Sequence, residues 1–143
     1  ADQIDPMQCS VRVEYSLNNT VRLLYERDFV VGRQNIVLDS PNRPSWVRAE
    51  GLERPQPGYI PGALIARRAA FDTIGYFDET MRHGGDDTDW FARARRTDAR
   101  CVMLEQTVLI RHAHENNLSS DAQSSNQELL ALVRRHVAEW GRK

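Results

Sequence analysis

The residues best suited to chemistry in this sequence are three aspartates that follow a pair of glycines. Asp86, Asp87 and Asp89 come directly after the glycine pair 84–85. Glycine lets the backbone turn sharply, and the exposed N–H groups at the start of a helix favour carboxylates there. One aspartate would be enough for a helix cap, which is the simpler interpretation. Because repulsion among three carboxylates costs stability unless a cation or a partner offsets it, the run also indicates a catalytic or ligand-binding turn.

Two histidines and a pair of N-terminal aspartates form further candidate groups. His112 and His114 alternate at the end of an apolar run, so on an extended backbone their side chains point the same way. Neutral imidazole binds transition-metal ions, and beside carboxylates it suits Mn²⁺. The alternative is that both are solvated loop histidines. Asp2 and Asp5 form the acidic pair, for which the alternative is a disordered terminus.

The apolar runs of the chain predict short strands and one long loop. The predicted strands are 29–31 and 36–38, with a bend at Gly32, followed by 62–67, 101–104 and 107–110. The proline-rich stretch 40–58 predicts a surface loop, since proline cannot donate to a strand ladder. Loops of this length often bind ligands. Residues 7–25 fit either a hairpin, by their period of two, or a helix, by apolar steps of three and four.

Three helices are predicted in the second half of the chain. The first spans 68–74 and is ended by Gly75, and the second opens at the acidic run. The third opens at a capping box formed by Ser125 and Glu128. Its apolar stripe consists of Leu129, Leu132, Val133, Val137 and Trp140. The order of elements predicts an α/β fold with a mixed sheet and flanking helices.

The composition excludes several classes of protein. The chain has 143 residues, of which 41% are hydrophobic and 27% charged, and its formal net charge is −1. This is an ordinary globular balance without the positive charge that binds nucleic acid. No apolar run is long enough for a transmembrane segment, and the N-terminus lacks the layout of a signal peptide. Two cysteines without zinc or redox spacing predict a cytoplasmic protein with reduced thiols.

Four motifs follow one another in a distinctive order. They are PGALIARRAAF at 61–71, GYFDE at 75–79, GDDTDWFARA at 85–94 and a strand that ends in histidine. This series resembles the C-terminal half of family-two-type glycosyltransferases, and it is also similar to the galactosyltransferase C-terminal region. The resemblance covers residues 28–118. It implies a GT-A fold and the transfer of a sugar from a nucleotide sugar to an acceptor.

The resemblance implies roles for the acidic run and the histidines. The acidic motif of the family is usually Glu-Asp, and Asp86 and Asp87 stand in its place. Asp87 is the implied general base on the acceptor hydroxyl, with Asp86 as the second candidate. A divalent metal, Mn²⁺ or Mg²⁺, is the implied cofactor, held by a histidine after the last strand. Two alignments nominate His112 and His114 respectively, and the choice between them stays open.

The resemblance also implies contacts with the substrate. The implied substrate-binding residues are Trp46, Tyr59, Gly62, Gly85, Asp89 and Trp90. Aromatic faces stack on the apolar C–H faces of sugars, and Trp46 lies in the polar loop where such a platform is expected. For Trp90, packing in the core is the favoured alternative.

The nucleotide-binding half of such an enzyme has no counterpart in this sequence. Asp2 and Asp5 stand where its Asp-x-Asp metal motif would fall, and this register predicts the helix over 7–25. The resemblance therefore implies one glycosyltransferase-like domain over 1–143 that is incomplete alone. Its implied partners are a nucleotide sugar, a sugar acceptor and either the missing half in trans or further copies of the chain. The alternative is a non-catalytic binding or self-associating scaffold derived from such an enzyme.

Overall fold

The computed structural model of the chain describes residues 27–81, 83–117 and 121–140. Within these ranges a four-stranded sheet is flanked by helices, which confirms the predicted α/β class. Asp2, Asp5 and the hairpin or helix predicted over 7–25 lie outside the described residues. In the described part of the chain, no helix has both the length and the apolar character that crossing a membrane requires.

The sheet is mixed and is built around strand β1 (Phe29–Leu38). Along one edge, β1 pairs antiparallel with β2 (Gln56–Pro57) and β3 (Leu64–Ala66), and along the other it pairs parallel with β4 (Cys101–Ala113). The register between the parallel strands runs from Phe29 opposite Cys101 to Leu38 opposite Ala113. The carboxyl ends of β1 and β4 therefore lie side by side.

An irregularity at Gly32 joins segments that the sequence predicted as separate strands. The β1–β4 register shifts between Val31 and Arg33 and again before Gln34. A Cβ at position 32 would lie 2.2 Å from Val108 Cγ2, so only glycine fits this close approach. The bend predicted at Gly32 is confirmed. Both strands run through the irregularity, so the predicted breaks in β1 and β4 are wrong.

The segment predicted as a loop over 40–58 contains short regular elements. Helix α1 (Glu50–Glu53) and strand β2 lie within it, and a 3-10 helix (Pro61–Ala63) leads from it into β3. Val47 is completely buried, and the N–H of Gly58 donates to Gly32 O at 2.9 Å. The segment therefore has a buried side chain of its own and is hydrogen-bonded to β1 near its end.

Helices α2 (Arg68–Ile74) and α3 (Asp86–Ala94) pack with the sheet around the main core. Helix α2 ends before Gly75, whose φ of 90° only glycine adopts without strain, as the sequence predicted. The core cluster consists of Phe29, Val31, Ala70, Ile74, Trp90, Phe91 and Ala94. The acidic run opens α3 as predicted, with three carboxylates in its first turn.

Helix α4 (Ala122–Trp140) begins before the predicted capping box, so that prediction is wrong. The N–H of Ser124 donates to Asp121 Oδ1 at 3.1 Å, which is the bond that an N-terminal cap makes. Ser125 and Glu128 therefore lie inside the helix, where their side chains are available to another segment.

The apolar stripe predicted on α4 is mostly exposed. Leu132 is buried, with 2% of its surface accessible, whereas Leu129, Val133 and Val137 are 44%, 51% and 60% exposed. Only one of these four side chains therefore belongs to the core of the described residues.

Candidate functional site

The topology brings the acidic turn to the ends of two parallel strands. A short turn, residues 95–100, connects α3 to β4, so the N-terminus of α3 lies toward the end of β4. The positive charge of Arg111 near the end of β4 acts on the carboxylate of Asp87 in the first turn of α3. We call this region the carboxyl edge and define it as residues 39–49, 86–87 and 111–114. Open α/β sheets bind ligands outside the carboxyl ends of their strands.

Asp87 is a carboxylate in an unfavourable environment. Burial raises its pKa above the usual value, and the negative charge of Asp86 adds to this effect. The backbone N–H and the hydroxyl of Thr88 both donate to Asp87 Oδ1, and together with Arg111 they lower the pKa without cancelling the rise. A carboxylate with a raised pKa is a stronger proton acceptor once it is ionised, which is the property that a general base needs.

Trp46 and Arg111 join the long loop to the strand that ends beside Asp87. The guanidinium carbon of Arg111 lies 4.2 Å from the ring centroid of Trp46, within the range of a cation–π contact. Burial lowers the pKa of Arg111, and the charge of Asp87 opposes this shift. The carboxyl edge therefore combines an aromatic ring, a partly desolvated guanidinium and a partly desolvated carboxylate.

Asp39 and His112 form a second pair at the same edge. His112 Nδ1 lies 2.8 Å and 2.9 Å from the two carboxylate oxygens of Asp39, and each side chain is nearly half exposed. Since a carboxylate accepts, Nδ1 carries the hydrogen, and in the neutral ring Nε2 then presents a lone pair. Nε2 makes no hydrogen bond within the described ranges. Asp39 was not among the predicted site residues, although it comes immediately after a predicted strand.

His114 has different surroundings from His112. Its backbone N–H donates to Asn117 Oδ1 at 2.7 Å, and its Nε2 lies 3.2 Å from Asn117 Nδ2. The ring of His114 is thus engaged by the turn that follows β4. The two histidines therefore differ in their ring partners, which are Asp39 for His112 and Asn117 for His114. Among residues 27–81, 83–117 and 121–140, no three metal-ligating side chains come together.

Asp89, which the resemblance assigned to substrate binding, lies in an ion-pair network between α3 and α4. It is only 2% exposed. Arg93 Nε donates to Oδ2 at 2.8 Å, Arg135 Nη2 donates to Oδ1 at 2.6 Å, and His136 Nε2 lies 3.1 Å from Oδ1. Burial alone would raise the pKa of Asp89, but Arg93 and Arg135 lower it overall. These partners give Asp89 a structural role.

Trp90 is a core residue, as the alternative interpretation expected. It is completely buried, and its indole N–H donates to Gly75 O at 2.8 Å. Its ring packs edge-on against Phe29 at 5.3 Å and against Phe91 at 5.2 Å. No face of Trp90 is accessible for stacking on a sugar, so its assignment as a substrate contact is corrected.

Tyr59 belongs to a groove between α3 and α4. It is 40% exposed, and its ring packs edge-on against Phe91 at 5.1 Å. The groove has a volume of about 770 Å³ and also includes Thr88, the neighbour of Asp87. Trp46 is not among the walls of this groove. The two aromatic residues nominated together therefore belong to different surface features.

The two nominated glycines differ in their packing, which is ordinary at Gly62 and tight at Gly85. A Cβ at Gly62 would lie 3.4 Å from Leu109 Cδ2 on β4. Gly85 is buried, and a Cβ there would lie 3.2 Å from Met81 Sδ and 3.3 Å from Glu128 Oε2. Contact of either glycine with a substrate stays a prediction.

The carboxyl edge suits two kinds of chemistry. Asp87 can accept a proton, and His112 can offer a lone pair to a metal or a proton. Arg111 and Trp46 suit the anionic groups and the apolar faces of a sugar-like ligand. No protein-family model, curated protein or solved structure matches the chain.

Proposed function

We propose that the chain is the acceptor-side part of a glycosyltransferase of the GT-A type, which uses a nucleotide sugar as donor. The environment of Asp87 carries the proposal. The sequence resemblance aligns this carboxylate with the family's acidic motif. Asp87 also lies in the first turn of a helix, and burial raises its pKa. Its chemistry is that of a general base, which contributes about 10²–10⁴-fold to a rate.

In the proposed reaction Asp87 accepts the proton of the acceptor hydroxyl. The hydroxyl oxygen forms a bond to the anomeric carbon of the donor sugar, and the bond from that carbon to the diphosphate oxygen breaks. The nucleoside diphosphate leaves with the electron pair. Asp86, beside Asp87 in the same turn, is the second candidate for the base.

Arg111 and Trp46 support this assignment by their placement. The guanidinium of Arg111 favours the ionised form of Asp87, which is the form that accepts a proton. The same guanidinium lies over the ring of Trp46. This stacking contact orients the plane of the guanidinium. An acceptor sugar would contact these two side chains while its hydroxyl reaches Asp87.

The residues of the carboxyl edge fit a divalent ion only in part. His112 offers Nε2, and Asp39 fixes the tautomer of its ring. No three ligands come together among the described residues, so we expect His112 and its neighbours by themselves to bind Mn²⁺ or Mg²⁺ weakly. The remaining ligands would come from the nucleotide-binding half and from the donor phosphates. When bound, the ion would neutralise the charge of the leaving diphosphate.

The test compares the chain alone with the chain completed by a nucleotide-binding half. We expect no useful turnover of a panel of UDP-, GDP- and ADP-sugars with Mn²⁺ by the chain alone. Without a half that orients the donor, the reaction forfeits up to roughly 7–11 kcal/mol of entropic advantage. Adding the protein segment encoded immediately upstream, fused or in trans, should restore transfer to sugar acceptors.

Substitution of the base gives the decisive comparison. Asp87→Asn should lower the restored turnover at least about 100-fold. Asp72→Asn is the matched control, because Asp72 is an exposed aspartate on α2, outside the acidic turn. Full activity of Asp87→Asn, or fast transfer by the chain alone, would contradict the proposal.

A second candidate function is a self-associating scaffold, and the exposed face of α4 favours it. Leu129, Leu130, Val133 and Val137 are 44–60% exposed along this helix. Contiguous exposed apolar side chains mark interaction surfaces. In analytical ultracentrifugation over a wide concentration range, a scaffold should form dimers that Val133→Glu dissociates and that Gln127→Glu, on the same helix, leaves intact. A monomer at every concentration would exclude this candidate.

A further inference from the structure

Helix α4 holds the backbone of the segment that leads into the acidic turn. The hydroxyl of Ser125 donates to His83 O at 3.0 Å, and the N–H of His83 donates to Glu128 Oε2 at 3.0 Å. The two side chains predicted to cap their own helix therefore bind both backbone polar groups of one distant residue. Such paired bonds fix a position and an orientation at the same time.

The start of α3 depends on this support because it lacks a side-chain cap of its own. Gly85 is the N-terminal cap residue, and no side chain makes a capping hydrogen bond there. Gly85 is buried against Glu128, since a Cβ at position 85 would lie 3.3 Å from Glu128 Oε2 and 3.6 Å from Glu128 Cβ. Gly84 has a φ of 89°, a backbone conformation that residues with a side chain rarely adopt. An uncapped helix start after a flexible residue needs an external support.

A second contact from α4 holds the other side of the turn. Arg135 donates to Asp89 Oδ1 at 2.6 Å and to Asp78 Oδ2 at 3.2 Å. The contacts of α4 thus lie on both sides of Asp86 and Asp87 in the sequence, at His83 and at Asp89. The two carboxylates between them can move independently of α4 only if one of these contacts breaks.

We propose that Glu128 is a positioning residue, which through the backbone of His83 sets where the Asp86–Asp87 turn lies relative to Arg111. The consequence of this positioning for catalysis rests on the proposed function, whereas the effect of Glu128 on the turn does not. Removing the carboxylate should let the turn move toward solvent, and Asp87 would then lose part of its burial. Because burial is the main cause of the raised pKa of Asp87, this pKa should fall toward its usual value.

The experiment is an NMR titration of the Asp87 carboxyl carbon in the chain alone. We expect Glu128→Ala to lower the pKa of Asp87 and to shift the amide signals of residues 83–87. Glu128→Gln should restore most of the wild-type behaviour, because its amide oxygen can still accept from the His83 N–H. Gln127→Ala, an exposed neighbour on α4, is the matched control and should change neither signal.

Ser125→Ala is a milder second variant, which tests the same contact if Glu128→Ala does not fold. It removes one of the two bonds and should shift the pKa of Asp87 in the same direction by a smaller amount. A folded Glu128→Ala or Ser125→Ala protein in which Asp87 titrates as in the wild type would overturn the proposal. A Glu128→Gln protein that behaves like Glu128→Ala would overturn it as well.

The titration separates this proposal from the proposed function, since it needs neither donor nor acceptor. In the completed enzyme, Glu128→Ala should lower kcat about tenfold with little change in KM, and Glu128→Gln should recover it. If the titration responds but Asp87→Asn does not affect transfer, Glu128 positions the turn and the glycosyltransferase assignment is wrong. If Asp87→Asn abolishes transfer but the titration does not respond, the assignment holds and Glu128 has no positioning role.

Discussion

Asp87 and Asp89 lie two residues apart in the first turn of α3, yet their environments shift their pKa values in opposite directions. Burial raises the pKa of Asp87, and its partners do not compensate. Asp89 is more deeply buried, but Arg93 and Arg135 lower its pKa below the usual value. Both carboxylates experience the same helix N-terminus, so their nearest charged partners cause the difference: Asp89 is paired with Arg93 of its own helix and with Arg135 of α4. A fully paired carboxylate stabilises the fold, and an incompletely compensated one is the candidate for chemistry.

The largest effect in this comparison is expected from Asp89→Asn. The substitution leaves Arg93, Arg135 and His136 facing a neutral amide inside the α3–α4 contact. Breaking a buried ion pair from one side costs about 3 kcal/mol, which for a chain of this size lowers Tm by roughly 10 °C. Thermal unfolding followed by circular dichroism measures this loss. Asp72→Asn should leave Tm unchanged, and an equal Tm for Asp89→Asn would show that the network does not stabilise the fold.

The second-largest effect is expected in the pH dependence of stability, to which the two carboxylates should contribute in opposite directions. The pKa of Asp89 is lowered in the folded state, so its contribution is present above the unfolded pKa and is lost as pH falls through the folded pKa. The pKa of Asp87 is raised, so stability falls as pH rises from the unfolded pKa through the folded pKa. Urea unfolding at a series of pH values should show a smaller acid-induced loss in Asp89→Asn than in the wild type.

At neutral pH, Asp87→Asn should raise the stability of the fold, whereas Asp89→Asn should lower it. The amide oxygen of asparagine can still accept from Thr88, and the substitution removes a carboxylate charge whose cost of burial exceeds its attraction to Arg111. We expect the free energy of unfolding to rise by about 0.5–1 kcal/mol, as is common when a strained functional group is neutralised. The gain should disappear as pH falls below the unfolded pKa of aspartate, where Asp87 is protonated in both states. A loss of stability at neutral pH would contradict the assignment of Asp87 as the uncompensated carboxylate.

The smallest effect is expected at Trp46. Trp46→Leu keeps an apolar side chain but removes the ring that lies 4.2 Å from the Arg111 guanidinium. The loss should be about 0.5–1 kcal/mol in urea unfolding. Trp46→Phe retains a ring face and should lose less. Equal losses for the two variants would indicate that Trp46 acts through its size alone.

Local features of the fold could be predicted from the sequence because they depend on neighbouring residues. Gly75 ends α2 where its positive φ is required, and the acidic run opens α3. Gly32 marks the bend because only a residue without a side chain fits against Val108. At Gly75 and at the acidic run, the composition of a few adjacent positions decides the backbone conformation, whereas the close approach of Gly32 to Val108 also requires the pairing of β1 with β4.

The candidate site was only partly predictable because its partners are distant in the sequence. Asp39 and His112 are 73 positions apart and meet only because β1 and β4 pair in parallel. A distant partner also explains why the predicted capping box is wrong. Ser125 and Glu128 match a local pattern, but folding brings the backbone of His83 within hydrogen-bond distance of both side chains.

The sequence by itself determined which carboxylates, histidines and glycines are present, and where short helices and strands begin or end. Those properties follow from side-chain chemistry and from the backbone conformations that each residue allows. Only the tertiary structure decided that Asp87 is poorly compensated, that Arg135 of α4 pairs with Asp89, and that Asp39 contacts the ring of His112. A pKa and a hydrogen-bond partner depend on the charges and polar groups within a few ångströms, and folding adds residues far along the chain to the local ones here, as Arg135 does for Asp89 and Asp39 does for His112.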